Sequence, residues 1–430
     1  TIGNESSPGI TMASDKMQRL VKLIVLPTVS TLATLMLLEF LLIVLEPYLF
    51  KGFYQYDPDL GFRVRSYANE TNQFGFNDRD YPLQKDPDIF RILVLGDSFS
   101  WAGGLEGNYT ALLEKKFDKY YGRHQVDVIN AGYPMTHTAE QLALLKKYGL
   151  QYNPDLVFLG FFAGNDFLDA EPNRKRIVVN DVYLIIDKRY EFTFLGYPLV
   201  PRSRVIEFLK QKYIVAKELM KWRRDMRTKG GEEEGGGTFS EERFLRIERA
   251  RLEFCNVNEQ AADSFNERIE YILQSIGRMK DLLQSKNIGF AVGIYPDEFQ
   301  VNGHLLDQLF DRFDLKREEY DVELMQRILR HHLVSEEIPH VDLLREFRSS
   351  GREGELYLPR NTHWNAAGND LAANTIFDLL VKIVDEKRAA ESSHGLGRHS
   401  GARACCMSPA KEGVPPALTP AHAQCSPRQT

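Results

Sequence analysis

This 430-residue sequence predicts an α/β fold with a five-stranded, mainly parallel sheet, preceded by one transmembrane helix. Three observations carry that expectation. Short continuous apolar runs such as Ile92 to Leu95 ("ILVL") have the pattern of strands covered on both faces. Stretches with helical spacing separate these runs, which is the alternation of a parallel sheet wrapped by helices. Near the amino end stands a much longer apolar run, from Leu23 to Leu45. A hydrophobic content of 43% and a charged content of 27% are those of a globular body with a large core.

The elements follow in order. Residues 1–22 form the amino-terminal segment, polar over 1–16, whose Lys16, Arg19 and Lys22 precede the apolar run. Basic flanks favour a cytoplasmic amino terminus and an exported body. The run at 23–45 is long enough to span a bilayer, and Glu39 is its only charge. No small-x-small cleavage site follows it, so the expectation is a retained signal anchor. Residues 51–90 are a loop-rich lead-in containing "GFNDRD" (Gly75 to Asp80).

The α/β domain is expected over 91–387. Its strands are "RILVLG", "QVDVIN" (Gln125 to Asn130), "PDLVFLGFF" running into Gly164-Asn165-Asp166, "NIGFAVGIYP", and a short "IPHVDLL". An insertion at 171–240 separates the third and fourth. It opens with two β-rich runs around Asn180-Asp181, the pattern of a hairpin. A helix from about Ser203 to Met226 follows, and residues 202–229 hold ten Lys or Arg against three Asp or Glu. That segment reads as a solvated helix face or as a basic surface turned to anionic lipid. "KGGEEEGGG" (Lys229 to Gly237) is a linker by composition, and helix resumes by Glu241. Residues 388–430 turn Gly/Pro/Ser/Ala-rich without period, a disordered tail. A net charge of −6 gives no reason to expect nucleic acid. Only Cys255 of the four cysteines lies in the domain, so neither a disulfide framework nor a zinc site is indicated.

The first strand runs straight into Gly96-Asp97-Ser98. Open parallel sheets place ligands beyond their carboxy edge. A serine there can act as a nucleophile given a base, a group that orients the base, and donors for the oxyanion. Among the ten histidines, His394, His399 and His422 are in the tail, and His331 and His332 lie in a polar helical run. His124 and His340 immediately precede strands, while His137 and His304 begin helices. His363, in "YLPRNTHWNAAGNDLAANTI", sits in a loop between the fifth strand and the last helix. Ser98, Asn165 and His363 therefore converge on one edge of the sheet.

These blocks resemble, in order, those of the SGNH/GDSL hydrolases, over roughly residues 55–385. "GDSFS" looks like the first block, "NAGYPMT" the second, "GND" the third and "NTHWN" the last. The "GFNDRD" lead-in, "PDLVFL", "YPDEFQV" and "THWNAAG" look like stretches of membrane-anchored members related to polysaccharide O-acetyl esterases and acetyltransferases. The resemblance implies a flavodoxin-like three-layer α/β/α sandwich, Ser98 as nucleophile and His363 as base. The oxyanion donors would be the backbone N–H groups of Ser98 and Met135 and the side-chain amide of Asn165.

Two positions depart from the family's pattern. Met135 stands where a glycine is expected; its N–H can donate provided the backbone there does not require positive φ. Asn361 stands where members with the HW form carry Asp. Asn can accept a hydrogen bond from the imidazole but brings no charge, and in serine proteases this exchange costs about 10⁴ in kcat. Asp342, after the fifth strand, is the candidate substitute acid. Asp166 is expected to shape its turn and Trp364 to pack beneath the histidine loop.

The function these residues imply is an extracytoplasmic (periplasmic or cell-surface) ester hydrolase acting on an acylated small molecule or polysaccharide. It needs no cofactor and no metal. The alternatives are an O-acyltransferase modifying an exported polysaccharide, with the insertion as a lid against water, and a catalytically silent glycan- or lipid-binding module.

Overall fold

The structure, a computed structural model, describes residues 17, 19–49, 51–179, 181–190, 192–194, 197–199, 203–206, 208–210, 212–214, 216–217, 220, 238–258, 263–352 and 354–399. Five strands form the central sheet: β1 (Phe90–Gly96), β2 (Val126–Gly132), β3 (Leu156–Phe162), β4 (Gly289–Tyr295) and β5 (His340–Asp342). Their order is β2-β1-β3-β4-β5, and every pairing is parallel. This is the flavodoxin-like order, whose switch point lies between β1 and β3. The predicted five-stranded parallel sheet is borne out.

Every residue of β1, β2 and β3 is buried, which is why they read as unbroken apolar runs. Alternate side chains feed opposite faces. Leu93, Leu95, Ile129, Val157, Leu159 and Val292 pack against Leu145 of Thr138–Lys147, Ile276 of Asp263–Gln284 and Leu329 of Leu324–Ser335. Ile92, Val94 and Phe158 turn to the other side and are inaccessible. There the helices Tyr109–Tyr121 and Ala366–His399 are joined through Phe117 and Phe377, at 4.9 Å, and through Tyr109 N–H to Asn369 Oδ1, at 3.0 Å. Each fully buried Leu, Ile or Val contributes about 1.5–3 kcal/mol, so the doubly covered sheet dominates stability.

The lead-in braces the sheet's carboxy edge. Asp78 Oδ2 accepts from Asn130 N–H at 2.7 Å, and Asn77 Nδ2 donates to Trp101 O at 2.7 Å. Tyr133 Oη accepts from Val64 N–H at 2.8 Å.

In the insertion, Arg174–Val179 and Val182–Asp187 form the expected antiparallel hairpin; Asn180 of its turn lies outside the described residues. The described residues between 204 and 220 are helical, whereas the rest of the expected helix to Met226 and the linker at 229–237 lie outside them. Helix resumes as Glu241–Leu252, where Ser240 Oγ accepts from Arg243 N–H. The last helix runs past Lys387 to His399, beyond the point where composition begins the tail; residues 400–430 lie outside the described residues. Alanine and glutamate just after Lys387 let an established helix propagate.

Near the amino end, Val21–Leu45 is helical, with a mean hydropathy of 2.2 and none of its most apolar window buried in the body. It is long and apolar enough to cross a membrane. Residues 1–16 lie outside the described residues.

Candidate active site

Ser98 opens a one-turn helix, Ser98–Trp101, immediately after β1. Asp97 caps that turn, accepting from Phe99 N–H at 2.9 Å, and Ala102 N–H returns to Ser98 O at 2.8 Å. The turn fits against the sheet because Gly96 and Gly132 lack side chains. A methyl group on either would come within 2.4 Å of the Ser100 side chain.

His363 lies in the loop leading to the last helix. Leu358 N–H donates to His363 O at 2.8 Å, and Asn365 caps the helix by accepting from the N–H groups of Ala367 and Gly368. Trp364 packs beneath, 2% exposed, among Phe99, Tyr295 and Phe347 at 5.0, 4.8 and 5.2 Å. The residue after Ser98 thus stacks edge-on against the residue after His363, which holds the two loops in register.

The outcome is a chain of three side chains. His363 Nε2 is 2.8 Å from Ser98 Oγ, and His363 Nδ1 is 2.7 Å from Asn361 Oδ1. Asn361 Nδ2 donates to Thr238 Oγ1 at 2.6 Å, which turns its carbonyl toward the imidazole. An amide oxygen there requires the proton on Nδ1, leaving the Nε2 lone pair for the serine hydroxyl. Burial, aided by the Arg251 cation, lowers the His363 pKa to about 4. The ring is therefore neutral near pH 7, the state a base must have.

The third strand end brings a dense group of acids. Asn165 follows β3; its Nδ2 donates to Asp169 Oδ2 at 3.3 Å, and its buried Oδ1 meets no donor among the described residues. Asp166 is fully buried and accepts from Phe162 N–H at 2.9 Å, shaping the turn as expected. Burial pushes the Asp97 carboxyl up to about 7 against the Phe99 N–H, the Arg251 cation and the Asn165 amide. Asp166 is raised well above the usual carboxylate range, by burial first and then by Asp97.

Met135 lies on the loop after β2 with φ +65°, the left-handed conformation that favours glycine, and its side chain is 43% exposed. Positive φ does not exclude the residue here: the methionine itself adopts the conformation that favours glycine, at a cost in strain, and keeps its backbone N–H.

Asp342 is a correction. Its Oδ1 accepts from Leu344 N–H at 3.0 Å, and its Oδ2 is 3.6 Å from Arg330 Nε. It lines a cavity of about 580 Å³ with Glu323, Arg345 and Arg348, whereas Asn361 occupies the Nδ1 side of His363. A strand-end position fixes the edge a residue belongs to but not its direction. Sequence reasoning also missed Thr238, adjoining the linker, and Arg251. Arg251 lies 4.9 Å from the Phe162 ring with its side chain 10% exposed, and its Nη1 is 3.0 Å from Glu248 and 3.5 Å from Asp297. Nothing local to "RIERARLEF" marks it. Among the described residues no three His, Cys, Asp or Glu side chains are grouped to hold a metal ion.

Residues 254–402, which include His363 but not Ser98, match a family model described as the SGNH hydrolase-like domain of the acetyltransferase AlgX. That match agrees with the SGNH resemblance and covers its last block, "NTHWN". No curated protein matches the chain. Among solved structures it is similar to an acetyl xylan esterase, at 14% identity over 67% of this chain and 98% of that one, TM-score 0.37. It is also similar to a lipase/acylhydrolase from Enterococcus faecalis, at 16% over 67% and 94%, TM-score 0.32. A third is a two-domain esterase active on acetylated mannans, at 16% over 69% and 50%, TM-score 0.32.

Proposed function

We propose that the chain is a membrane-anchored serine esterase acting on acyl or acetyl esters outside the cytoplasm. The observation that carries this reading is the 2.8 Å contact between Ser98 Oγ and a His363 whose other nitrogen is held by Asn361. In the proposed reaction Ser98 Oγ attacks the ester carbonyl as His363 Nε2 takes its proton. The alkoxide then leaves with that proton, and water, deprotonated by the same nitrogen, releases the acid and frees Ser98. The Ser98 and Met135 N–H groups and the Asn165 amide are the proposed oxyanion donors. Asn361 holds the tautomer but adds no charge to stabilise the imidazolium, so turnover is expected to be slow.

A second reading, transfer of the acyl group to an exported polysaccharide, is favoured by the match of residues 254–402 to an acetyltransferase's domain. It uses the same acyl-enzyme with a sugar hydroxyl in place of water.

The test is p-nitrophenyl acetate cleavage by the full chain in detergent, for the parent, Ser98→Ala and Asn361→Asp. Ser98→Ala should lose at least about 10³-fold in kcat/KM. Asn361→Asp should raise kcat and move the acid limb of the profile upward from the parent's, near pH 4, because a carboxylate stabilises the imidazolium. Release that persists in Ser98→Ala sinks the proposal. Adding an oligosaccharide acceptor separates the two readings, since transfer diverts acetate from water to sugar.

A further inference from the structure

Glu39 lies inside an otherwise uncharged apolar run, where a carboxylate is costly unless it is partnered. Its partners belong to the insertion. Glu39 Oε2 accepts from Arg204 N–H at 2.8 Å, and Oε1 accepts from Val205 N–H at 3.2 Å and from the Ser203 hydroxyl. Ser203 Oγ in turn accepts from Ile206 N–H at 3.1 Å, so a helix begins at this contact with an acid at its amino end.

The helical residues that follow present an apolar stripe to solvent. Ile206, Leu209, Tyr213 and Met220 fall on one face at helical spacing and are 64%, 59%, 66% and 62% exposed. Lys210 and Lys217 stand along one margin of that stripe and Lys212 along the other. Apolar centre and lysine margins are the distribution of a helix lying in a bilayer surface, where lysines extend to the headgroups.

Depth agrees with this. Glu39 precedes Leu45, the end of the apolar run, by six residues, about 9 Å at 1.5 Å per residue. An in-plane amphipathic helix buries its apolar face roughly 5–10 Å below the headgroup boundary. The contact that starts the second helix therefore sits at the level such a helix occupies.

We propose that the described helical residues between 204 and 220 belong to an in-plane amphipathic helix, seated in the outer surface of an anionic bilayer and joined to the spanning helix at Glu39. The excess of Lys and Arg over 202–229 supplies the attraction to anionic headgroups. The catalytic domain is then tied to the membrane at two places rather than swinging on one tether. The inference rests on reading Val21–Leu45 as a membrane span, but not on the esterase reaction.

The test uses the full chain with Cys405, Cys406 and Cys425 replaced by serine and buried Cys255 retained. Single cysteines at Leu32, Leu209 and Lys119 carry an environment-sensitive fluorophore. Each protein is reconstituted into phosphatidylcholine vesicles with and without phosphatidylglycerol, containing lipid nitroxide-labelled at a shallow acyl position. The Leu209 label should be quenched several-fold more than that at Lys119, and more strongly with phosphatidylglycerol. Adding Ile206→Asp and Tyr213→Asp should abolish the difference. If Leu209 behaves like Lys119 while Leu32 is shielded from aqueous iodide, the in-plane helix is wrong and the span stands. An iodide-accessible Leu32 overturns both. Shielding of Leu209 in detergent that grows with protein concentration assigns the stripe to a second copy and overturns the lipid reading.

Discussion

Arg91, at the start of β1, and Asp97, just past its end, are both almost fully buried, yet their surroundings differ. Arg91 meets Asp127 through Nε and Nη2 at 3.1 and 2.9 Å, and its Nη1 reaches the carbonyls of Tyr152 and Pro82 at 2.8 and 3.0 Å. Nearby, Lys85 Nζ and Arg91 N–H both hold Asp155. At the opposite edge, Asp97, Asp166, Glu248 and Glu298 all have raised pKa values, with burial the largest cause. Asn165 Oδ1 and Asp166 Oδ1 find no donor among the described residues. One edge buries charge and completes its bonds; the other buries acids and leaves them short. Incomplete bonding at the carboxy edge is what a site poised for an incoming group looks like, because a finished network has nothing to offer a substrate.

The comparison is broken most strongly at the completed edge. Arg91→Ala strands the Asp127 carboxylate in the interior and should cost about 3–5 kcal/mol in chemical denaturation. Because a stranded buried carboxylate can keep the variant from folding, the pair Arg91→Met with Asp127→Leu is the companion. It should recover most of that loss and leave kcat/KM of the folded protein within about two-fold. A double variant as unstable as the single would mean the ion pair itself, not its completeness, supports the edge.

At the open edge the cost should appear in rate. Asn165→Ala removes a proposed oxyanion donor and should lower kcat about 10²–10³-fold with little change in denaturation midpoint. An equal fall in stability with unchanged kcat would make Asn165 another completed structural bond and erase the contrast.

The raised acids predict an opposite pH response. Asp97 is pushed up to about 7, above its unfolded value, so its contribution is fully present below pH 4 and is lost as pH rises through about 7. Asp97→Asn keeps an acceptor for Phe99 N–H but cannot ionise. Its stability relative to the parent should therefore improve between pH 5 and pH 8, by on the order of 3 kcal/mol. A gap that is flat with pH would show that Asp97 is ionised throughout, like the carboxylates of the other edge.

How much of this was legible follows from range. Ile92 to Leu95 read as a buried strand because a parallel sheet needs no alternation, and the placement of Ser98 past its end followed from that alone. Asn361 and His363 are two residues apart, so a local pattern could name both. Arg251 was missed and Asp342 misassigned for one reason. What each side chain faces depends on elements far away in sequence, Phe162 and Asp297 for the first and Arg330 for the second. The Glu39 contact with residues 203–205 is of the same kind. Sequence marked an odd charge in one segment and a basic helical stretch in another, but nothing joined them.

The smallest effect is expected at Met135. Its φ of +65° costs an L-residue roughly 1–2 kcal/mol relative to glycine, while glycine gives back about 0.5–1 kcal/mol as added freedom of the unfolded chain. Its half-exposed side chain touches the Tyr54 hydroxyl through Sδ at 3.8 Å, so little burial is lost by truncation. Met135→Gly should therefore raise stability by about 1 kcal/mol at most. Because the N–H survives the exchange, kcat should stay within about three-fold. Met135→Val, β-branched in the same backbone, should instead destabilise by more than 1 kcal/mol. If Met135→Gly cuts kcat/KM ten-fold at unchanged stability, the thioether contacts substrate. The strained backbone at the open edge would then serve to aim a side chain rather than to present a donor.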